Sequence, residues 1–126
     1  MTTQALTILV AGPYRSGTQD DPALIAANMR AMNEVSLLLF RAGHIPITGE
    51  ALALPLMEIA GSQQIGDEIF NEIMHPLGRA LVVRCDACLR IGGPSQGADE
   101  MVALAQAHGR QVFFRLEEVP KLSETL

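Results

Sequence analysis

Two short segments of this chain combine the residue types that hold small polar ligands. Gly12-Pro13-Tyr14-Arg15 offers close backbone approach, a phenol and a fixed positive charge, and Gly92-Gly93-Pro94-Ser95-Gln96-Gly97 is a glycine-rich turn ahead of an apolar-periodic stretch. A turn that opens a helix presents free backbone N–H groups and the positive end of the dipole, which suit an anion or a polar ligand. Ser95 and Gly97 would let the backbone approach it, but the same residues also describe an ordinary strand-to-helix turn capped by Ser95. Asp99 and Glu100 follow immediately. Two carboxylates in a first turn already complement the dipole, so a phosphate there would need a cation such as Arg15.

The remaining chemistry-bearing residues are scattered. Glu50 follows an apolar run and either hydrogen-bonds a base or a ribose hydroxyl in the same crevice or is simply solvated. His44 opens a strand, His75 precedes Pro76, and His108 ends a helix where the dipole favours a cationic ring. None has a recognisable partner in sequence. Cys85 and Cys88 have the C-x-x-C spacing, but no second pair completes a zinc site and the motif enters a buried strand instead of a helix. They read as small buried hydrophobes, reduced and metal-free. Neither a metal nor a cofactor is expected.

The elements that must position these residues alternate. Leu6 to Ala11 is an aliphatic, β-branched run closed by Gly12-Pro13, the pattern of a buried strand. Asp20-Asp21-Pro22 starts a helix whose Ile25, Met29, Met32, Val35 and Leu39 share one face, and Gly43 stops it. His44 to Thr48 is the second strand. The pattern then weakens from Gly49 to Gly66, where Pro55 could open a short helix through Leu56, Met57 and Ile59. Asp67 caps another helix with Ile69, Ile73, Leu77 and Leu81 in register, and Pro76 predicts a kink or break inside it. Ala87 to Ile91 is the third strand. A helix from Ala98 to His108 then buries Met101, Val102, Leu104 and Ala105, Gln111 to Arg115 is the fourth strand, and Leu116 to Leu126 reads as a surface tail.

This layout predicts an α/β fold, a small doubly wound parallel sheet of four strands ordered 2-1-3-4 with helices on both faces, flavodoxin- or Rossmann-like. Its switch point lies between the first and third strands, whose ends carry the two glycine-rich segments. At 126 residues, 48% apolar and 18% charged, the chain fits a single domain over residues 1–126, with a core over 6–115 and a tail over 116–126. Aromatics are only 4%, so the core must be aliphatic. A formal net charge of −5 without a basic block argues against nucleic acid and anionic membranes as partners. No apolar stretch looks long enough to span a bilayer, and Met1 to Leu9 lacks the features of a signal peptide, so a cytoplasmic protein is expected.

Taken together, Gly12-Pro13-Tyr14 after the first strand, a long helix ending in Arg41-Ala42-Gly43-His44, Cys85-Asp86-Ala87 before the third strand, and Ser95-Gln96-Gly97-Ala98 before a helix closed by Gly109 resemble the nucleoside 2-deoxyribosyltransferase superfamily, most closely its small DUF4406-type members. The similarity spans residues 6–115. It implies a nucleoside or nucleotide ligand and exchange or cleavage of an N-glycosidic bond, in which a carboxylate stabilises or attacks the anomeric carbon and an acid helps the base depart. It also implies a glutamate six residues after Ser95, where this chain has Met101, and a second acid near Gly78 and Arg79. Glu100 and Asp99 are the nearest replacements, although neighbouring helical residues point about 100° apart. Two expectations follow: a glycosidase or transferase with a displaced carboxylate, or a non-catalytic nucleotide-binding module that has kept the pocket. The substrate-binding set is Gly12, Pro13, Tyr14, Arg15, Glu50, Ser95 and Gly97.

The resemblance further implies a homo-oligomer. A homodimer or dimer of dimers is expected through the two long helices, with Phe70 or Met74 near its centre, because Leu24, Leu37, Leu38 and Phe40 on the first, and Phe70 and Met74 on the second, exceed what one face requires.

Overall fold

The computed structural model describes residues 4–122. Its elements are β1 (Thr7–Ala11), α1 (Pro22–Arg41), β2 (Ile45–Ile47), α2 (Gly49–Ala60), α3 (Glu68–Val82), β3 (Ala87–Arg90), α4 (Gln96–Ala107) and β4 (Gln111–Phe113), followed by a single 3-10 turn at Leu116–Glu118. The strands form one parallel sheet in the order β2-β1-β3-β4, as the alternation of apolar runs predicts. β1 and β3 lie side by side in its centre, with Ile8 opposite Ala87 and Ala11 opposite Arg90. Their carboxyl ends therefore emerge together, and the chain leaves them in opposite directions. That divergence opens a cleft.

Each face of the sheet has its own core, because successive strand residues point to opposite sides. Ile8, Val10 and Leu89 pack with Met32 and Leu39 of α1, while Leu9, Ala11 and Cys88 pack with Val82 of α3 and with Ala98, Met101 and Ala105 of α4. A third cluster joins α2 to α3 through Ala53, Met57, Phe70 and Met74.

Several sequence expectations change here. The irregular stretch after β2 is a full helix: the Thr48 side chain accepts from the Ala51 N–H at 3.1 Å and starts α2 at Gly49, so Pro55 lies inside it instead of opening it. Pro76 likewise lies within a continuous α3. The α3 face turned to the core is Phe70, Met74, Gly78 and Val82, one position on from the expected Ile69, Ile73, Leu77 and Leu81. Phe70 and Met74 are thus packed under α2 and cannot form the centre of an exposed dimer patch. In contrast, Leu24, Leu37, Leu38 and Phe40 of α1 are exposed as expected.

The expectation that no apolar stretch reaches membrane-spanning length also fails. α1 has 20 residues and a mean hydropathy of 1.2 over its best window, enough by length and composition alone to cross a bilayer. Its Ile25, Met32 and Leu39 are buried, which commits that stripe to the sheet. The segment after β4, expected as a surface tail, instead folds back: Val119 enters the α1-side core, and the Leu122 N–H donates to the Ala42 carbonyl at 2.8 Å. His44, which seemed to lack a partner, anchors this return. Its buried ring accepts from the Leu6 N–H at Nδ1 (3.1 Å) and contacts the Pro120 carbonyl through Nε2, which fixes the tautomer with the proton on Nε2. Residues 123–126 of the expected tail lie outside the described residues.

Candidate functional site

The cleft at the ends of β1 and β3 encloses about 830 Å³, within the size range of small-molecule sites. β1 contributes its last residues and Gly12, α2 its first turn, α3 its inner face and α4 its N-terminus. The sequence-predicted Gly12, Tyr14, Arg15, Glu50, Ser95, Gly97 and Glu100 all line it. Pro13 and Asp99 do not. Pro13 packs behind the wall, where its ring leaves no room for a side chain at Gly92: a Cβ there would sit 2.6 Å from Pro13 Cδ. Gly92 also has a φ of +79°, so only glycine joins the two loops at this point.

The loop after β1 is held open by its own polar groups. The Thr18 hydroxyl, buried, donates to the Arg15 carbonyl at 2.6 Å and accepts from the Asp20 N–H at 3.1 Å. Gln19 and Asp20 adopt positive φ, so the chain turns sharply and brings Asp20 back against Arg15, with Nε–Oδ1 at 2.7 Å and Nη2–Oδ2 at 3.0 Å. Each partner favours the charged form of the other. In sequence Asp20 shares a helix-start signal with Asp21. The structure divides the roles: Asp21 caps α1 and Asp20 clamps Arg15. The guanidinium also lies 5.8 Å from the centroid of the Phe70 ring and directly over Gly66, whose φ of +86° favours glycine there.

On the opposite wall Ser95 is buried and caps α4, accepting from the Ala98 N–H at 3.2 Å, while its hydroxyl meets that of Ser16 at 3.4 Å. That contact ties the two loops together across the cleft. His75 of α3 lies against Gly97, close enough that a Cβ at Gly97 would stand 3.3 Å from its Cε1. The floor is apolar. Met101 is buried, and its Sδ would lie 3.5 Å from a Cβ at Gly78, so these two positions meet at the floor with no acid at either.

Of the two replacement carboxylates, neither faces this floor freely. Asp99 points to a separate surface hollow, where it pairs with Arg90 at 3.0 Å. Glu100 lines the cleft but pairs at 3.4 Å with Arg79 across α3 and α4, both of them partly exposed. The carboxylate drawn furthest into the cleft is Glu50, half-buried, from the first turn of α2. Burial pushes its carboxyl up from the ordinary glutamate range, against the opposing effect of its own backbone N–H. The Tyr14 phenol beside it is pushed up too, first by burial and then by the Glu50 charge.

Sequence reasoning missed Phe70, Met74, His75 and Gly78 as lining residues. Phe70 and Met74 looked like core or interface because no periodicity tells a cleft wall from a packed one, while His75 stood out only as an unpartnered ring and Gly78 carried no apolar signal. Among the described residues, no three His, Cys, Asp or Glu side chains gather as metal ligands. Cys85 and Cys88 are free, buried thiols. Burial raises both, Cys88 to about 12, so neither has thiolate character. No family model, curated protein or solved structure matches this chain.

Proposed function

We propose that this protein binds a nucleoside or nucleotide in the cleft, and that binding, without cleavage of the glycosidic bond, is its activity. The observation that carries the reading is the composition of one cavity at the switch point of the sheet. Two aromatic rings, Tyr14 and Phe70, and two thioethers, Met74 and Met101, offer flat apolar contact, while Glu50, Ser95 and the start of α4 offer a few polar groups. Such a mixture suits a planar heterocycle carried on a polar sugar. The motif resemblance points to the same class of ligand. Loss of cleavage follows from the floor: the place where a carboxylate would meet the anomeric carbon holds Met101, and a thioether supplies no charge.

A second reading keeps the chemistry through Glu100, because that carboxylate does line the cleft. The two are separated by one pair of assays. A panel of nucleosides and their monophosphates at millimolar concentration should raise the melting temperature, since a ligand present at ~100 times its Kd stabilises the folded state by ~2.7 kcal/mol. Chromatography of the same mixtures should show no free base. A panel without any shift refutes nucleoside binding, and free base that disappears in Glu100→Gln establishes the second reading.

A further inference from the structure

We propose that Glu50 reads the base of the bound nucleoside and selects a guanine-type base, one that presents two adjacent N–H donors on a single edge. This rests on the nucleoside-binding reading and names its ligand class. The first support is position. Thr48 ends β2 as a helix cap, and Gly49 starts α2 so close to α3 that a Cβ on it would stand 3.7 Å from the Gly78 Cα. The next side chain, Glu50, lines the cleft with Leu9 and Val10 of the central strand and with the Tyr14 and Phe70 rings.

The second support is what Glu50 lacks. The ion pairs among the described residues are Arg15–Asp20, Arg30–Glu34, Arg79–Glu100 and Arg90–Asp99. Every guanidinium at the cleft is already matched with its own acid, and none reaches Glu50. No side chain among the described residues donates a hydrogen bond to it, and burial already penalises its charge. The half-buried carboxylate keeps only its own backbone N–H and the water its position still admits, and a ligand that brings two N–H donors replaces that water with charge-assisted hydrogen bonds.

The third support is the geometry of a carboxylate. Its two oxygens only accept, and they accept best from two parallel N–H groups. Guanine presents N1–H and the 2-amino group side by side. Adenine and cytosine place a bare ring nitrogen next to the amino group, and uracil and thymine flank their single N–H with carbonyl oxygens. Each of these sets a lone pair against a carboxylate oxygen.

The test is calorimetric titration of the whole protein at about pH 7.5 with guanosine, inosine, adenosine, cytidine and uridine, repeated on Glu50→Gln. Guanosine should bind tightest. Inosine, which lacks only the 2-amino group, should bind roughly tenfold more weakly or worse, the fold-change for one hydrogen bond to a charged group. In Glu50→Gln the guanosine-to-inosine ratio should collapse toward one, while the melting temperature holds or rises because a desolvated charge has gone. A structural role for Glu50 would instead lower the melting temperature and leave the ratio alone, which overturns the inference. So does tightest binding of adenosine or cytidine, the outcome for a protonated carboxyl that both donates and accepts. Nucleosides that bind without preference overturn the inference and spare the proposed function; no binding by any of them overturns both.

Discussion

Replacing Met101 with glutamate puts the apolar floor of the cleft to a quantitative test. The Met101 side chain is only 8% exposed and packs among Leu9, Ala11, Val82, Ala98 and Ala105, with Gly78 closing the far side. Removing its buried apolar surface costs ~1.5–3 kcal/mol. The new carboxylate is worse placed than the thioether for a second reason. The nearest cation on this wall, Arg79, is held by Glu100 at 3.4 Å, so the inserted charge has no ready partner. Burial should then raise its pKa by ~1–3 units, each worth ~1.4 kcal/mol. A raised acid binds its proton more tightly in the folded state, so the deficit is smallest below the unfolded pKa of ~4.3 and grows as pH rises toward the folded value. Urea unfolding should show Met101→Glu less stable than wild type by ~2–3 kcal/mol near pH 4.5 and by ~3–7 kcal/mol near pH 8, a large share of the ~5–15 kcal/mol typical of a domain. Stability within ~0.5 kcal/mol of wild type at the higher pH would mean that the floor is wet. The argument for lost cleavage would then fall with it.

Other measurements probe the parts that hold the cleft. Gly92→Ala forces φ of +79° on an L-residue and drives its Cβ into Pro13, so it should cost ~2 kcal/mol or more and weaken ligand binding by moving the loop that leads to Ser95; equal stability in urea would refute the strain. Asp67 accepts from the Phe70, Gln63 and Gln64 N–H groups and from Ser62, which hold its carboxyl down to about 2. Its contribution is therefore whole above the unfolded value near ~3.9 and lost as pH falls through about 2, and Asp67→Asn should flatten the acid limb of the stability curve in that window. Phe70→Glu should unfold the α2–α3 pair, seen as lost helical signal, because Phe70 is 4% exposed; a folded variant that merely changes its sedimentation would restore the interface role. The homodimer expected through α1 is checked separately: Leu38→Glu, at a position 48% exposed, should leave folding intact and yield a lighter species, and a wild type that sediments as a monomer removes the proposal.

The strand order and the place of the cleft were legible because they follow from local signals. Short β-branched runs, helix stops at Gly43 and Gly109, and parallel crossovers leave few alternatives for four strands. What remained hidden depends on partners far apart in sequence. His44 shows an isolated imidazole in sequence, yet its two ring nitrogens are fixed by Leu6 and Pro120, residues 38 and 76 positions away. The α3 register slipped by one because Ile69, Ile73, Leu77 and Leu81 have the same period as Phe70, Met74, Gly78 and Val82, and only contact with α2 chooses between them. Gly78 carried no apolar signal at all, although Met101 packs beside it at the floor of the cleft.

The same lesson separates the acidic residues. Asp99 and Glu100 stood out in sequence by their place in a first turn, but a first turn faces solvent on most of its circumference, and both found an arginine there. Glu50 occupies the same kind of first turn and differs only in what surrounds it. With α3 behind the start of α2, its side chain lines the cleft and no ion pair reaches it. A half-buried charge that no cation neutralises gains from a ligand that brings N–H donors. For that reason the proposed choice of ligand rests on the unpaired carboxylate of α2 and not on the conspicuous pair of α4.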